Sequence, residues 1–150
     1  VAYLALKDYL GDELFKKCLL EFMNRWNGKH PQPWDMFNTF KDNSGKDLNW
    51  FFYNWFYTNN YIDVAIENVI ANGSEYSMKV KNIGGFAIPI EVVAEYKSGK
   101  KEIFHFTPEI WSKNQQLATL SLKLSDEPTS FSIRQLIFIE SNYNDNVWKF

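Results

Sequence analysis

The sequence predicts an α+β protein with two parts, a helical N-terminal unit and an antiparallel β-sandwich. Apolar residues recur with the helical period of about 3.6 residues up to residue 58. After Asn59 and Asn60 the period shortens toward about 2, the period of a strand, and turn residues separate the apolar runs. This change of period predicts a helical unit at residues 1–60 and a β-sandwich at residues 61–150.

The composition is typical of a globular protein with a large aromatic core. Hydrophobic residues make up 45% of the 150 residues and aromatic residues 18%, which is enough to bury a sizeable core. The net charge of −2 supplies no basic field, so nucleic acid is excluded as a partner. No apolar run approaches the ~20 residues of a membrane-spanning helix, so we expect no membrane span.

Two helices are predicted before Gly28. The first, Val1 to Leu10, has no N-terminal cap, which favours a chain that begins inside a helix. In the second helix, Asp12 is placed to cap the start and Gly28 to end it. Its apolar residues form one stripe, which consists of Phe15, Cys18, Leu19, Phe22, Met23 and Trp26.

Two further helices are predicted between residues 31 and 58. The third begins after Pro31 and has Pro33 at its first position, although Gln32 is a weaker cap than Ser or Thr. Ser44 and Asp47 form a capping-box pattern, which predicts that the fourth helix begins there.

The fourth helix is expected to be enclosed on most sides. Its inward stripe consists of Leu48, Phe51, Phe52, Trp55 and Phe56. A second aromatic face is formed by Trp50, Tyr53 and Tyr57. A helix with aromatic residues on two faces needs neighbours on both.

Six short strands are predicted in the second part. They are Ile62–Ile70, Glu75–Asn82, Pro89–Tyr96, Lys101–Phe106, Leu117–Leu124 and Phe131–Ile139. Turn residues such as Asn72-Gly73 and Gly84-Gly85 separate them. Short strands at this spacing, without crossover helices, are typical of an immunoglobulin-like β-sandwich.

The residues that could carry chemistry do not form a catalytic pattern. A zinc site of the H-E-x-x-H type needs two histidines one turn apart and a further carboxylate. The two histidines, His30 and His105, lie in different predicted units and outside any such motif. Cys18, the single cysteine, falls on an apolar stripe, where a packing role is expected. We therefore predict no catalytic, cofactor-binding or metal-binding residue in this sequence.

Two weaker patterns have simpler structural explanations. Asn142, Asn144 and Asn146 alternate like the first ligands of a calcium loop, but the required glycine and glutamate are missing, so a polar turn is expected. Residues 72–74 match a glycosylation sequon, yet Asn-Gly is first of all a hairpin turn.

An aromatic-dense block resembles the end of the catalytic domain in zinc aminopeptidases related to aminopeptidase N and leukotriene hydrolase, the gluzincin metallopeptidases. The segments that carry the resemblance span roughly the first 57 residues and occur in the order of that family: Leu10-Gly11-Asp12-Glu13-x-Phe15, Arg25-Trp26, Lys29-His30-Pro31-x-Pro33-x-Asp35-x-Phe37 and Ser44-Gly45-x-Asp47-Leu48-x-Trp50-Phe51-Phe52-x-x-Trp55-Phe56. The strands that follow resemble the β-sandwich after the catalytic domain in many members.

The resemblance implies a non-catalytic C-terminal part of such an enzyme. The family's zinc motif, distal glutamate and substrate-amine loop would lie N-terminal to Val1, so zinc is expected in the parent protein and not in these residues. The parent would remove N-terminal residues from peptides, and this part would brace its upstream catalytic domain. By itself the chain would expose apolar surface and self-associate. An exported or periplasmic parent is compatible with the resemblance, and the sequence leaves the compartment open.

A second hypothesis belongs to a different functional class. The chain would then be an autonomous β-sandwich interaction module of a peptidase-like protein without peptidase activity. An H-E-x-x-H motif with its distal glutamate, encoded upstream of Val1, would favour the first hypothesis, and a parent without this motif would favour the second.

Overall fold

The structure, a computed structural model, describes residues 1–134 and 136–150 and confirms the α+β class. In these ranges four α-helices come first and two antiparallel sheets follow. The helices are α1 (Ala2–Leu10), α2 (Asp12–Trp26), α3 (Pro33–Ser44) and α4 (Asn49–Phe56). None of the helices in the described ranges combines the length and the apolar character needed to cross a bilayer.

The helices pack around a shared core of large side chains. Leu6 of α1, Phe40 of α3 and Phe51 of α4 are fully buried. The ring of Phe15 in α2 meets Phe40 edge-on at 5.6 Å, and Tyr9 in α1 lies 6.1 Å from Phe51. Such aromatic contacts add to the stabilisation from burial, and these two join α2 to α3 and α1 to α4.

The ends of α3 have clear local causes. Pro33 opens the helix, as predicted, because its missing N–H would have no helical partner there. The backbone N–H of Gln32 donates to Asp35 Oδ2 at 2.7 Å, so the helix start is stabilised although Gln32 replaces a stronger cap. Gly45 ends the helix with a φ of 66°, a left-handed conformation that glycine adopts without strain.

Two predicted helix caps are wrong. Ser44 is the last residue of α3, so it does not cap α4, and α4 begins about one turn later than predicted. Asp47 Oδ1 instead accepts the backbone N–H of Asn49 at 3.0 Å. Asp12 is itself the first residue of α2, and its carboxylate lies 3.3 Å from Lys7 Nζ.

The strands form two sheets that face each other. They are β1 (Val64–Asn72), β2 (Glu75–Asn82), β3 (Ile90–Tyr96), β4 (Lys101–Phe106), β5 (Leu117–Lys123), β6 (Pro128–Arg134) and β7 (Val147–Lys149). One sheet has the order β1-β2-β5 and the other β4-β3-β6-β7, with every pair antiparallel. Tyr76 of β2 meets Phe131 of β6 edge-on at 5.6 Å, so the inner faces share one core.

The C-terminal part differs from the sequence prediction. The strand expected at Phe131–Ile139 ends at Arg134, Gln135 lies outside the described residues, and 136–139 are not in a strand. The chain crosses to the other sheet, where Glu140 Oε1 accepts the backbone N–H of Val64 at 2.6 Å. The three-residue strand β7 and a single 3₁₀ turn at Pro108–Trp111 were not predicted, because elements this short carry no readable period.

Buried polar contacts fasten α4 to the sandwich. Asn54 is almost fully buried, and its Nδ2 donates to the carbonyl of Gly85 at 2.7 Å and to Gln115 Oε1 at 2.8 Å. Its Oδ1 accepts the backbone N–H of Ala87 at 2.9 Å. The two parts of the chain therefore meet through directed contacts, and their division into domains at residues 1–60 and 61–150 stays a prediction.

Two tryptophans complete this joint. The Trp55 ring stacks on Phe86 at 4.3 Å and 7°, and its Nε1 donates to the Ala87 carbonyl at 3.1 Å. Trp111 is fully buried, and its Nε1 donates to the Ile88 carbonyl at 2.9 Å. The segment before β3 is thus held by three side chains from outside its own sheet.

The predicted glycine turn at Gly84-Gly85 allows the loop before β3 to lie directly against Asn60 and Tyr61. A Cβ at Gly84 would lie 2.3 Å from the carbonyl oxygen of Tyr61, which is far below any real contact. Gly85 has a φ of 95°, and a Cβ there would meet the Asn60 side chain at 2.7 Å. A side chain at either position would push the loop away from the segment that connects α4 to β1.

We predict that Asn54→Ala destabilises the protein by about 3 kcal/mol, because it leaves a buried carbonyl and a buried N–H without partners. Asn49→Ala is the matched control, since Asn49 lies on the same helix and is exposed. Urea unfolding of both variants measures the difference, and equal midpoints would contradict the assigned joint.

Candidate functional site

A groove lined mainly by aromatic side chains runs between α3 and α4. It is called the aromatic groove here and consists of Trp34, Phe37, Asn38, Lys41, Asn49, Phe52, Tyr53 and Tyr57. Trp34, Phe37 and Lys41 recur three and four residues apart on α3, while Asn49, Tyr53 and the C-cap residue Tyr57 recur four apart along α4 and its end. Residues at this spacing share one helix face, so each helix contributes one wall.

The groove has a buried floor and an exposed rim. Phe37 and Phe52 are buried and stack at 4.3 Å with their planes 19° apart. Tyr53 and Tyr57 stack at 6.1 Å and 10° but are 61% and 59% exposed, and Trp34 is 54% exposed. The prediction that α4 is enclosed on most sides is therefore wrong for this face in the described residues.

The polar groups of the groove suit binding and not proton transfer. Lys41 is the one charged side chain in the lining, and its Nζ donates to Asn49 Oδ1 at 2.9 Å. None of the eight described residues that define the groove is a carboxylate, and Lys41 is already engaged by a neutral amide. Large rings with a few amide groups match the composition of protein–protein contact surfaces.

The apolar surface continues from the groove onto α1. Phe56 at the end of α4 lies 5.0 Å from Phe37 and is partly exposed. Its ring also lies 5.9 Å from that of Tyr3, which is exposed, as is the neighbouring Leu4. A continuous exposed apolar surface of this kind marks an interaction site.

The apolar stripe predicted on α2 is also partly open. Cys18 is fully buried, but Leu19 and Met23 are exposed, and so is Leu20 beside them. The helix therefore packs on the core through only part of its apolar surface.

Burial makes Cys18 a packing residue. Its Sγ lies 3.9 Å from the carbonyl oxygen of Phe40, and removal from water raises the pKa of the thiol. A higher pKa leaves less thiolate at neutral pH, so a nucleophilic role is disfavoured.

The two histidines lie apart in the fold. His30 is exposed in the loop between α2 and α3, while His105 lies on β4 with its ring between Asp8 and Glu91. Within residues 1–134 and 136–150, no three or more His, Cys, Asp or Glu side chains form a group able to hold a metal ion. The fold therefore does not bring the two histidines together.

The other sequence patterns serve local structure. The backbone N–H of Asn144 donates to Asn142 Oδ1 at 3.1 Å, and Asn146 Nδ2 donates to Glu140 Oε2 at 2.8 Å, so these side chains organise the turn before β7. Gly73 and Ser74 form the turn between β1 and β2, with a φ of 64° at Gly73, while Asn72 is the last residue of β1 and pairs with Glu75.

Two features of the site were missed by the sequence analysis. Asn54 was not singled out, although a lone amide inside the aromatic run from Trp50 to Phe56 is a signal for a buried hydrogen-bond partner. The groove was missed because Tyr53 and Tyr57 were assigned to a covered face.

Comparison with known proteins supports the fold. No protein-family model and no curated protein sequence matches the chain. Among solved structures, the chain is similar to Legionella pneumophila aminopeptidase A in complex with aspartic acid, with a TM-score of 0.64 and 18% identity. The match covers 88% of this chain and 15% of that one, so it takes in helices and sheets together but only a small part of the enzyme.

We predict that Cys18 is nearly inert in the folded protein. Its labelling by an aromatic disulfide reagent at pH 8 should be at least ~100-fold slower than that of a free thiol, because reaction requires local or global opening. Labelling in high urea should restore the full rate. Fast labelling of the native protein would contradict the burial of this side chain.

Proposed function

We propose that this chain is the C-terminal part of a zinc aminopeptidase, in which α1 to α4 end the catalytic domain and the strands form the following immunoglobulin-like β-sandwich. The proposal is supported by the sequence resemblance in the helices and by the fold shared with part of the Legionella enzyme. The zinc ligands would come from residues outside this chain, and no reaction step is assigned to residues 1–150.

The observation that carries the proposal is the uncovered aromatic groove. Its rim exposes Trp34, Tyr53 and Tyr57, its floor is packed, and its charged side chain, Lys41, donates a hydrogen bond to the Asn49 amide. Preceding parts of the parent enzyme would cover this surface and exclude water from it. The chain would then brace the catalytic helices by presenting a rigid apolar wall.

The hydrogen bonds of Asn54 would connect this bracing role to the sandwich, because they fix the position of α4. Both the nitrogen and the oxygen of the Asn54 amide bond to the loop before β3, so α4 is fixed to that loop. The groove would therefore keep its orientation relative to the sandwich. The sandwich would therefore set the position of the upstream helices through α4.

The second hypothesis, an autonomous module, also has an observation in its favour. Leu6, Phe40, Leu48 and Phe51 are fully buried by residues of this chain alone. Such a core could fold without an upstream domain. The behaviour of the aromatic groove in solution distinguishes the two.

We predict that the isolated chain self-associates and binds a hydrophobic dye through the groove. The double change Tyr53→Ser with Tyr57→Ser should weaken both effects, since it removes exposed rings without opening the core. Tyr61→Ser is the control, because Tyr61 is similarly exposed but does not line the groove. A strict monomer that binds no dye would favour the autonomous module.

We also predict that the isolated chain has no aminopeptidase activity and binds no stoichiometric zinc. Extension with the region encoded upstream should restore hydrolysis of aminoacyl arylamides, and the Tyr53 and Tyr57 double variant should reduce the activity or stability of the extended protein more than Tyr61→Ser does. Turnover with zinc in residues 1–150 alone would overturn the proposed function.

A further inference from the structure

A row of charged side chains crosses the four-stranded sheet next to α1. His105 of β4 is the register partner of Glu91 in β3, and Glu91 is the register partner of Arg134 in β6. The His105 Nδ1 lies 3.3 Å from Glu91 Oε1, and the other Glu91 oxygen contacts Arg134 Nη2. Residues paired across strands share one sheet face, so the three form a continuous line.

The first helix reaches this row through a single carboxylate. Asp8 of α1 places Oδ1 at 2.8 Å and Oδ2 at 3.1 Å from His105 Nε2. The two residues are 97 positions apart in the sequence, so the contact joins the start of the chain to the sandwich. Asp8 and Glu91 are mostly shielded from solvent, and the His105 side chain is 39% exposed.

The protonation of the ring decides how well this contact can be made. A neutral imidazole donates from one nitrogen only, and its other nitrogen presents a lone pair. Because carboxylate oxygens face both ring nitrogens of His105, the neutral ring sets a lone pair against one carboxylate. The imidazolium donates from both nitrogens and carries the opposite charge to both partners.

Three other charged groups near α1 and the sheet have partners of their own. Arg134 pairs with Glu91, and Lys7 beside Asp8 lies 3.3 Å from Asp12. Glu109 in the 3₁₀ turn that packs on α1 lies 3.8 Å from Lys46 Nζ. Asp8 and Glu91 are thus the two carboxylates that contact the His105 ring directly.

We propose that His105 is a pH-sensitive latch that holds α1 against the four-stranded sheet when its ring is protonated. The latch is closed when the ring is protonated and the two carboxylates are ionised, and loss of the ring proton loosens it. Acid strong enough to protonate the carboxylates releases it as well.

The latch bears on the exposed apolar surface. Asp8 lies on the same helix as Tyr3, whose ring contacts Phe56 beside the aromatic groove. Loosening of α1 therefore changes the edge of the surface that we assign to docking, although the latch itself does not depend on that assignment.

The test measures hydrogen-exchange protection of the α1 amides in the 150-residue chain between pH 5.5 and 8, with rates corrected for intrinsic exchange. We expect protection to fall roughly threefold toward pH 8, the size that a partly exposed ion pair gives. His105→Gln and Asp8→Asn should remove this dependence. His30→Gln is the control, because His30 is exposed, and it should behave like the parent protein.

Ring nitrogen resonances of His105 give a second readout that needs no variant. The α1 protection should fall over the same pH interval in which the spectrum shows the ring losing one of its two N–H protons. The same pH dependence in His105→Gln as in the parent protein would overturn the proposal. Protection of α1 that stays constant while the ring loses its proton would also overturn the proposal. This second result does not depend on whether either variant folds.

Discussion

The buried amide of Asn54 is the contact on which the rest of the arrangement depends. Helix α4 has 8 residues, too few to be stable in water without tertiary contacts. Hydrophobic burial holds this aromatic helix in the core, but it is not directional and leaves rotation about the helix axis weakly fixed. Asn54 donates a hydrogen bond to the Gly85 carbonyl and accepts one from the Ala87 N–H, and both are directional. They therefore limit rotation of α4 and favour the orientation in which Tyr53 lines the groove.

The orientation of α4 explains why the exposed rings form a usable surface. Phe37 and Phe52 are stacked and buried, so the groove floor is rigid before any partner arrives. Trp34 and the two rim tyrosines have few rotatable bonds, so a partner gains large contact area at little cost in conformational entropy. The same surface would be a liability in a protein that functions with it uncovered.

Local sequence patterns were sufficient to predict most helices and strands, but they did not predict which residues each element contacts. The periods of 3.6 and 2 predicted all four helices and most strands, because each period is a property of neighbouring residues. The cap predicted at Ser44 was wrong, because the pattern cannot tell the end of α3 from the start of α4. The contact of Asp8 with His105 spans 97 positions, and the joint of Asn54 with Gly85 spans 31, so neither follows from local spacing.

A hydrogen-exchange footprint tests the central claim that the aromatic groove is the docking face of this chain. Residues 1–150 would be mixed with the separately produced region encoded upstream, and exchange would be compared with that of the chain alone. The account predicts slower exchange in α3 and α4, on the two walls of the groove, with little change in β2 and β5. Protection confined to the sandwich, with α3 and α4 unchanged, would contradict it.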